Sequence, residues 1–184
     1  MGAGESKLPD NAEDIAATCE LPIKTVNRLW KRFQELDKEK KGVLDADDFH
    51  EIHSFHLNPL APRIIDLFMD ATGHCDFEGF CKLVAVFQPC DKKTASDAVN
   101  SPQSKARLLF RLFDYEAKCE LHQNEVFEIL LLMVGSSVEE TQLKHIAKRV
   151  ILETTGGTRH KIEPEDLVRA LDMDTVGVKM SAGY

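Results

Sequence analysis

From Pro22 onward the apolar residues recur at steps of three and four: Ile23, Val26, Leu29, Trp30, Phe33 and Leu36. That spacing predicts an amphipathic helix ending near Asp37. The turn Lys38-Glu39-Lys40-Lys41-Gly42 and the pair Val43-Leu44 follow, and Asp45-Ala46-Asp47-Asp48 opens a second helix carrying Phe49, Ile52 and Phe55. Asn58-Pro59 marks a break. A third helix holds Ile64, Ile65, Leu67 and Phe68, a short polar segment contains Gly73, and a fourth helix holds Phe77, Phe80, Leu83, Val84 and Phe87. Residues 88–103 have no periodicity. The cycle then repeats, with Leu108, Leu109, Phe110, Leu112 and Phe113 on one helix and Val126–Val134 on a very apolar one that Gly135 ends. Ser137-Val138-Glu139-Glu140 predicts a capping box for a helix with Leu143, Ile146, Val150 and Ile151. A loop from Thr154 to Glu163 leads to a last helix with Leu167, Val168 and Leu171.

The pattern predicts an all-α chain of four helix–loop–helix units in two lobes. Residues 1–20 read as a mobile leader, 21–88 as one lobe, 89–103 as a linker, 104–173 as the second lobe and 174–184 as a tail. Helices flanking a loop of about twelve residues are the plan of the EF-hand, whose oxygen ligands sit at loop positions 1, 3, 5, 7, 9 and 12 around a glycine at 6. Leu44, Cys75, Leu121 and Ile162 hold position 8, where paired loops bond as short strands.

The scaffold survives better than the ligands. The first loop, Asp37–Asp48, keeps Asp37, Glu39, Gly42 and Asp45, but Lys41 stands at a ligand position and Asp48 replaces the longer Glu. The second, Met69–Gly79, is a residue short and ends without a carboxylate. The third, Asp114–Glu125, has Lys118 at position 5, His122 at 9, and Cys119 where glycine belongs, at a left-handed site costing about 1–2 kcal/mol. The fourth, Thr155–Asp166, has Thr155, Gly157, Arg159 and His160 in place of acids and glycine. No metal-binding residue is assigned and no cofactor is expected, beyond weak calcium or magnesium at the first or third loop. Lys41 and Lys118 are placed to neutralise the remaining loop carboxylates.

Composition narrows the partners. The 31 Asp and Glu against 23 Lys and Arg give a net charge of -8 over 184 residues, which disfavours nucleic acid. Five scattered cysteines with no CxxC pair fit a reducing compartment, and the longest apolar run, Ile129–Val134, is far short of a bilayer span. The start, Met1-Gly2-Ala3-Gly4-Glu5-Ser6, fits the N-myristoylation pattern with Gly2 as acceptor. One acyl chain holds a membrane only weakly, so the expected location is cytoplasmic, with peripheral membrane contact through a partner and the acyl group.

The order of several segments carries a resemblance: Leu29–Asp37 (LWKRFQELD), Asn58–Phe68 (NPLAPRIIDLF), Asp76–Phe80 (DFEGF), Phe87-Gln88-Pro89, Phe110–Asp114 (FRLFD), Met133-Val134-Gly135, Thr141-Gln142-Leu143 and Lys179-Met180-Ser181. The chain resembles the calcineurin B group over nearly all of its length after the leader. Within the group it is most similar to a calcineurin B homologous protein, on the linker Pro89–Gln103, Phe87-Gln88-Pro89 and the Lys179-Met180-Ser181 tail. Asn58–Phe68 and Thr141–Leu143 read closer to calcineurin B itself. The resemblance implies a myristoylated, non-catalytic EF-hand subunit holding an amphipathic helix of a larger partner. That partner is the juxtamembrane segment of a sodium/proton exchanger or, alternatively, the catalytic subunit of a calcineurin-like phosphatase.

The segment Val126–Val134 is apolar nearly all round, which fits either a doubly buried core helix or a helix with one face in a partner groove. The family plan favours the groove, with Phe80, Leu83, Val84, Phe87, Leu108, Leu112, Phe127, Leu130, Leu131, Val150, Leu167 and Leu171 as its lining. The acidic net charge points to a basic partner helix. His50, His53 and His56 are three apart, but solvent-facing histidines account for that spacing better than a metal site. Cys75 and Cys81 lack an arranged base, and nothing in the sequence speaks for an enzyme.

Overall fold

The computed structural model describes residues 8–91 and 93–182, all helical but for loops and two isolated β-bridges. The described chain falls into two compact units, Met1–Gln88 with Ala182–Tyr184, and Pro89–Ser181. Gly2 lies outside the described residues.

In unit 1, α1 (Ala12–Thr18) precedes α2 (Ile23–Leu36), α3 (Ala46–His50), α4 (Ala61–Phe68) and α5 (Phe77–Val86). Within the stretch read as a mobile leader, residues 12–18 form helix α1, and residues 1–7 lie outside the described residues. Ala12, Ile15 and Cys19 are buried, and α1 packs on α2. One large apolar residue among alanines leaves too faint a stripe to read. Helix α2 buries Val26, Leu29, Phe33 and Leu36 at the expected steps, with Pro22 as its cap rather than its first residue. Helix α3 is shorter than the pattern suggested: it stops at His50, and a separate 3-10 turn, His53–Phe55, follows. Asp76 caps α5, its Oδ1 accepting from Gly79 N at 2.7 Å. Aromatic rings fill the interior: Phe33 meets Phe77 at 5.5 Å and Phe80 at 5.7 Å edge-on, and Phe68 lies 4.8 Å from Phe49. Each such pair adds about 0.5–1.5 kcal/mol beyond area burial.

Unit 2 contains α6 (Pro102–Phe113), α7 (Gln123–Val134), α8 (Glu140–Thr154), α9 (Pro164–Ala170) and α10 (Met173–Lys179). Its core joins Phe110, Leu121, Val126, Ala147, Ile151 and Ile162. Buried Ser101 caps α6 through Ser104 N at 3.1 Å. The capping box expected at Ser137 is absent. Ser137 belongs to a 3-10 turn, Gly135–Ser137, and Glu139 precedes α8 without a side-chain cap bond. Nor is the helix of Leu167 the last. Helix α10 packs on α6 and buries Val176 and Gly177. Gly177 is there for closeness, since a Cβ on it would sit 3.0 Å from Cys90 Sγ. That glycine and its β-branched neighbours hid the helix from a propensity reading.

Candidate functional site

The position-8 residues pair as the loop plan requires. Leu44 and Cys75 exchange backbone bonds at 2.8 Å each way, and Leu121 and Ile162 do so at 2.9 Å. Backbone conformation follows as well: Gly42 sits at φ +78°, and Cys119, with its side chain, at φ +57°.

The carboxylates of the first loop are already occupied. Buried Asp37 accepts from Lys41 N (2.8 Å) and Gly42 N (2.7 Å). Asp45 caps α3 by accepting from Asp47 N and Asp48 N, while Asp48 Oδ2 accepts from Asp45 N at 2.9 Å. Into this ring reaches the Lys41 ammonium, 2.6 Å from Asp45, 3.0 Å from Asp48 and 3.8 Å from Glu39. Those bonds hold the Asp45 carboxyl below its ordinary range and raise the ammonium of Lys41. A tethered monovalent cation therefore stands among the groups that an ion would need.

The fourth loop has a second internal cation, at a residue the sequence reading treated only as a lost ligand. Arg159 pairs with Glu163 and with Asp166, whose side chain is 2% exposed, and Arg169 meets the same Asp166 oxygen. Thr155, in the position of the first ligand, instead donates to Ile151 O at 2.8 Å. In the third loop Lys118 reaches only Glu116. Glu120 is met from outside the loop by Lys161, and by His122 at 3.3 Å. Lys118 thus neutralises one carboxylate, not the set expected of it. Among the described residues, no group of three or more His, Cys, Asp and Glu is placed to hold a metal ion. A divalent cation in the first or fourth loop would have to displace Lys41 from Asp45 and Asp48, or Arg159 from Glu163 and Asp166.

Two apolar surfaces remain open. In unit 1 a cleft of about 400 Å³ is lined by Leu29, Leu36, Phe49, Ile52, Phe55, Phe68, Phe80 and Val84, with Arg28 and Arg32 also in its lining. Of the expected groove residues in this unit, Phe80 and Val84 are in the cleft. Leu83 is buried in the interior, and Phe87 is half-buried, its carbonyl accepting from Ala182 N at 2.7 Å. In unit 2, Leu108 and Leu112 are buried on α6. Phe127, Leu130, Val150 and Leu167 pack against the core cluster while half-buried, as is Leu171. Lys144 Nζ lies 5.5 Å over the Phe127 ring.

Helix α7 buries only Val126 fully. Leu131, Leu132 and Val134 are more than a third exposed and Met133 is 75% exposed, with Ile146 of α8 also exposed. Of these, the sequence placed only Leu131 in a partner groove. An all-round apolar helix does not announce which of its sides stays uncovered.

The remaining candidates carry no chemistry. His50, His53 and His56 are exposed, and the His56 ring donates to the His50 carbonyl at 2.7 Å. Burial pushes the thiols of Cys75 and Cys81 up to about 12, far from a nucleophile's range. Lys105 on α6 is fully buried, and burial draws its ammonium below the ordinary value. No helix among the described residues is long and apolar enough to cross a membrane.

No family model matches the chain. Its similarity to known proteins nevertheless runs from end to end. It is 29% identical over 173 residues to the type 2 calcineurin B protein of Dictyostelium discoideum, covering 93% of this chain and 90% of that one. It is similar to the calcineurin B protein of Naegleria gruberi at 28% over 183 residues, 98% of both chains, and to that of Candida glabrata at 28% over 185 residues. This chain is similar to calcineurin B proteins. The likeness supports the calcineurin B group and does not single out the homologous-protein branch favoured by the linker and tail.

Proposed function

We propose that this chain is a non-catalytic regulatory subunit that holds an amphipathic helix of a calcineurin-like phosphatase catalytic chain, in a grip set by loop side chains rather than by calcium. The observation that carries the reading is Lys41 seated among Glu39, Asp45 and Asp48, in a chain similar over its whole length to calcineurin B proteins. A calcium sensor opens its helix pairs when the ion arrives. Here the resident cation is covalently part of the loop, so the hand has no ion to wait for. The unit 1 cleft and the exposed side of α7 supply apolar surface of the kind that takes helix anchors at i, i+3, i+4 and i+7. Of the two partners expected from the sequence, the relatives favour the phosphatase, and none of them speaks for the sodium/proton exchanger segment. Acylation at Gly2, and peripheral membrane contact of a cytoplasmic complex, belong to the same proposal.

The test is a calorimetric titration of the full-length protein with a synthetic peptide, the helix through which a calcineurin catalytic chain binds its regulatory partner, once with calcium and once with a chelator. Affinity should agree within tenfold, about 1.4 kcal/mol, in the two buffers. Absence of binding, or a greater loss in chelator, overturns the reading.

A further inference from the structure

The cleft of unit 1 carries a charge that the chain as a whole conceals. Although the net charge is -8, α2 has Lys24, Arg28, Lys31 and Arg32 against the single acid Glu35. Arg28 and Arg32 are four residues apart, one helical turn, and both line the apolar cleft. Arg32 shares its guanidinium with Glu35 at 3.0 Å, an ion pair with both side chains more than half exposed. Arg28 makes no ion pair with any described residue.

We propose that this cleft selects an acidic amphipathic helix, one whose apolar anchors are flanked by carboxylates that meet Arg28 and Arg32. The inference rests on the helix-binding reading above and reverses the basic partner suggested by net charge. Range decides between the two. Charges beyond about 8 Å are largely screened at physiological salt, so the field at the cleft is set by its own arginines rather than by distant acids. A helix laid over the cleft strips water from both guanidinium groups. Unless it brings acceptors, Arg28 is left desolvated and unsatisfied, and Arg32 has Glu35 alone. A carboxylate answers that need best, because the planar fork of Arg bonds both its oxygens at once.

The experiment uses two synthetic helical peptides with one shared Leu/Phe face, flanked in one by Glu and in the other by Lys. Each is titrated against the full-length protein at physiological salt. The Glu peptide should bind at least tenfold more tightly. The double variant Arg28→Glu/Arg32→Glu should invert the preference, and Arg28→Gln/Arg32→Gln, which adds no repulsion, should abolish it. Equal affinities in the unaltered protein overturn the acidic preference while leaving helix binding intact. A Glu preference that survives in both variants also overturns it, since discrimination then arises elsewhere. If neither peptide binds, the helix-binding reading of the cleft falls and the inference with it. Binding of oleate alone identifies a fatty-acid pocket and has the same consequence.

Discussion

In unit 1 one side chain, Lys41, serves the carboxylates of its own loop, whereas in unit 2 the cations arrive along several routes. Arg159 and Arg169 converge on Asp166, Lys161 crosses to Glu120, and Lys118 turns to Glu116. The difference lies in depth. Lys41 bridges a partly open acid, Asp45, whose pair works in water's screening, and a deeper one, Asp48, whose side chain is 11% exposed. The Asp166 side chain is 2% exposed, and a charge at that depth needs a partner whatever its net worth.

The sharpest way to break this comparison is Arg159→Met. It leaves buried Asp166 with Arg169 as its remaining ion-pair partner beside the Glu163 N–H, and should cost about 2–4 kcal/mol of unfolding free energy in urea titration. A loss no greater than that of an exposed pair would mean that the two loops are equivalent after all. Next comes Lys41→Asp, which removes the tethered cation and adds an acid to those already at ligand positions, Asp37, Glu39, Asp45 and Asp48. Calorimetry should then find calcium bound at least tenfold more tightly than by the unaltered protein. Unchanged affinity would show that the shortened Asp48, not Lys41, bars the ion. The smallest effect belongs to Cys119→Gly. At φ +57° the substitution should stabilise by about 1 kcal/mol, read as a raised melting temperature, while Gly42→Ala at φ +78° should destabilise by a similar amount.

Much of the fold was legible because the signal was periodic. Val26, Leu29, Phe33 and Leu36 stand one helical turn apart and are buried, and Leu44, Leu121 and Ile162 needed only a count along their loops, with Cys75 found by analogy in a loop one residue short. Helices α1 and α10 were not legible, since each is a seven-residue segment whose stability comes from packing on a neighbour and not from a stripe of its own. The site divides in the same way. Lys41 could be placed by loop position, because a lysine four residues after Asp37 and four before Asp45 can reach only inward or to solvent. Arg159 was misjudged because its partner Asp166 stands seven residues away, and only burial turns that acid into a demand. The cleft escaped for a further reason: its lining comes from four helices and the turn at Phe55, and no single segment displays the shape they enclose.

The backbone bridges carry one more consequence. Leu44 grips Cys75 and Leu121 grips Ile162, so each loop is spliced to a neighbour by a two-bond clasp. The loop ending at Gly79, which lacks a closing acid, is therefore held from two sides, by the bridge at Cys75 and by Asp70, whose Oδ1 accepts from Thr72 N at 2.7 Å and His74 N at 3.2 Å.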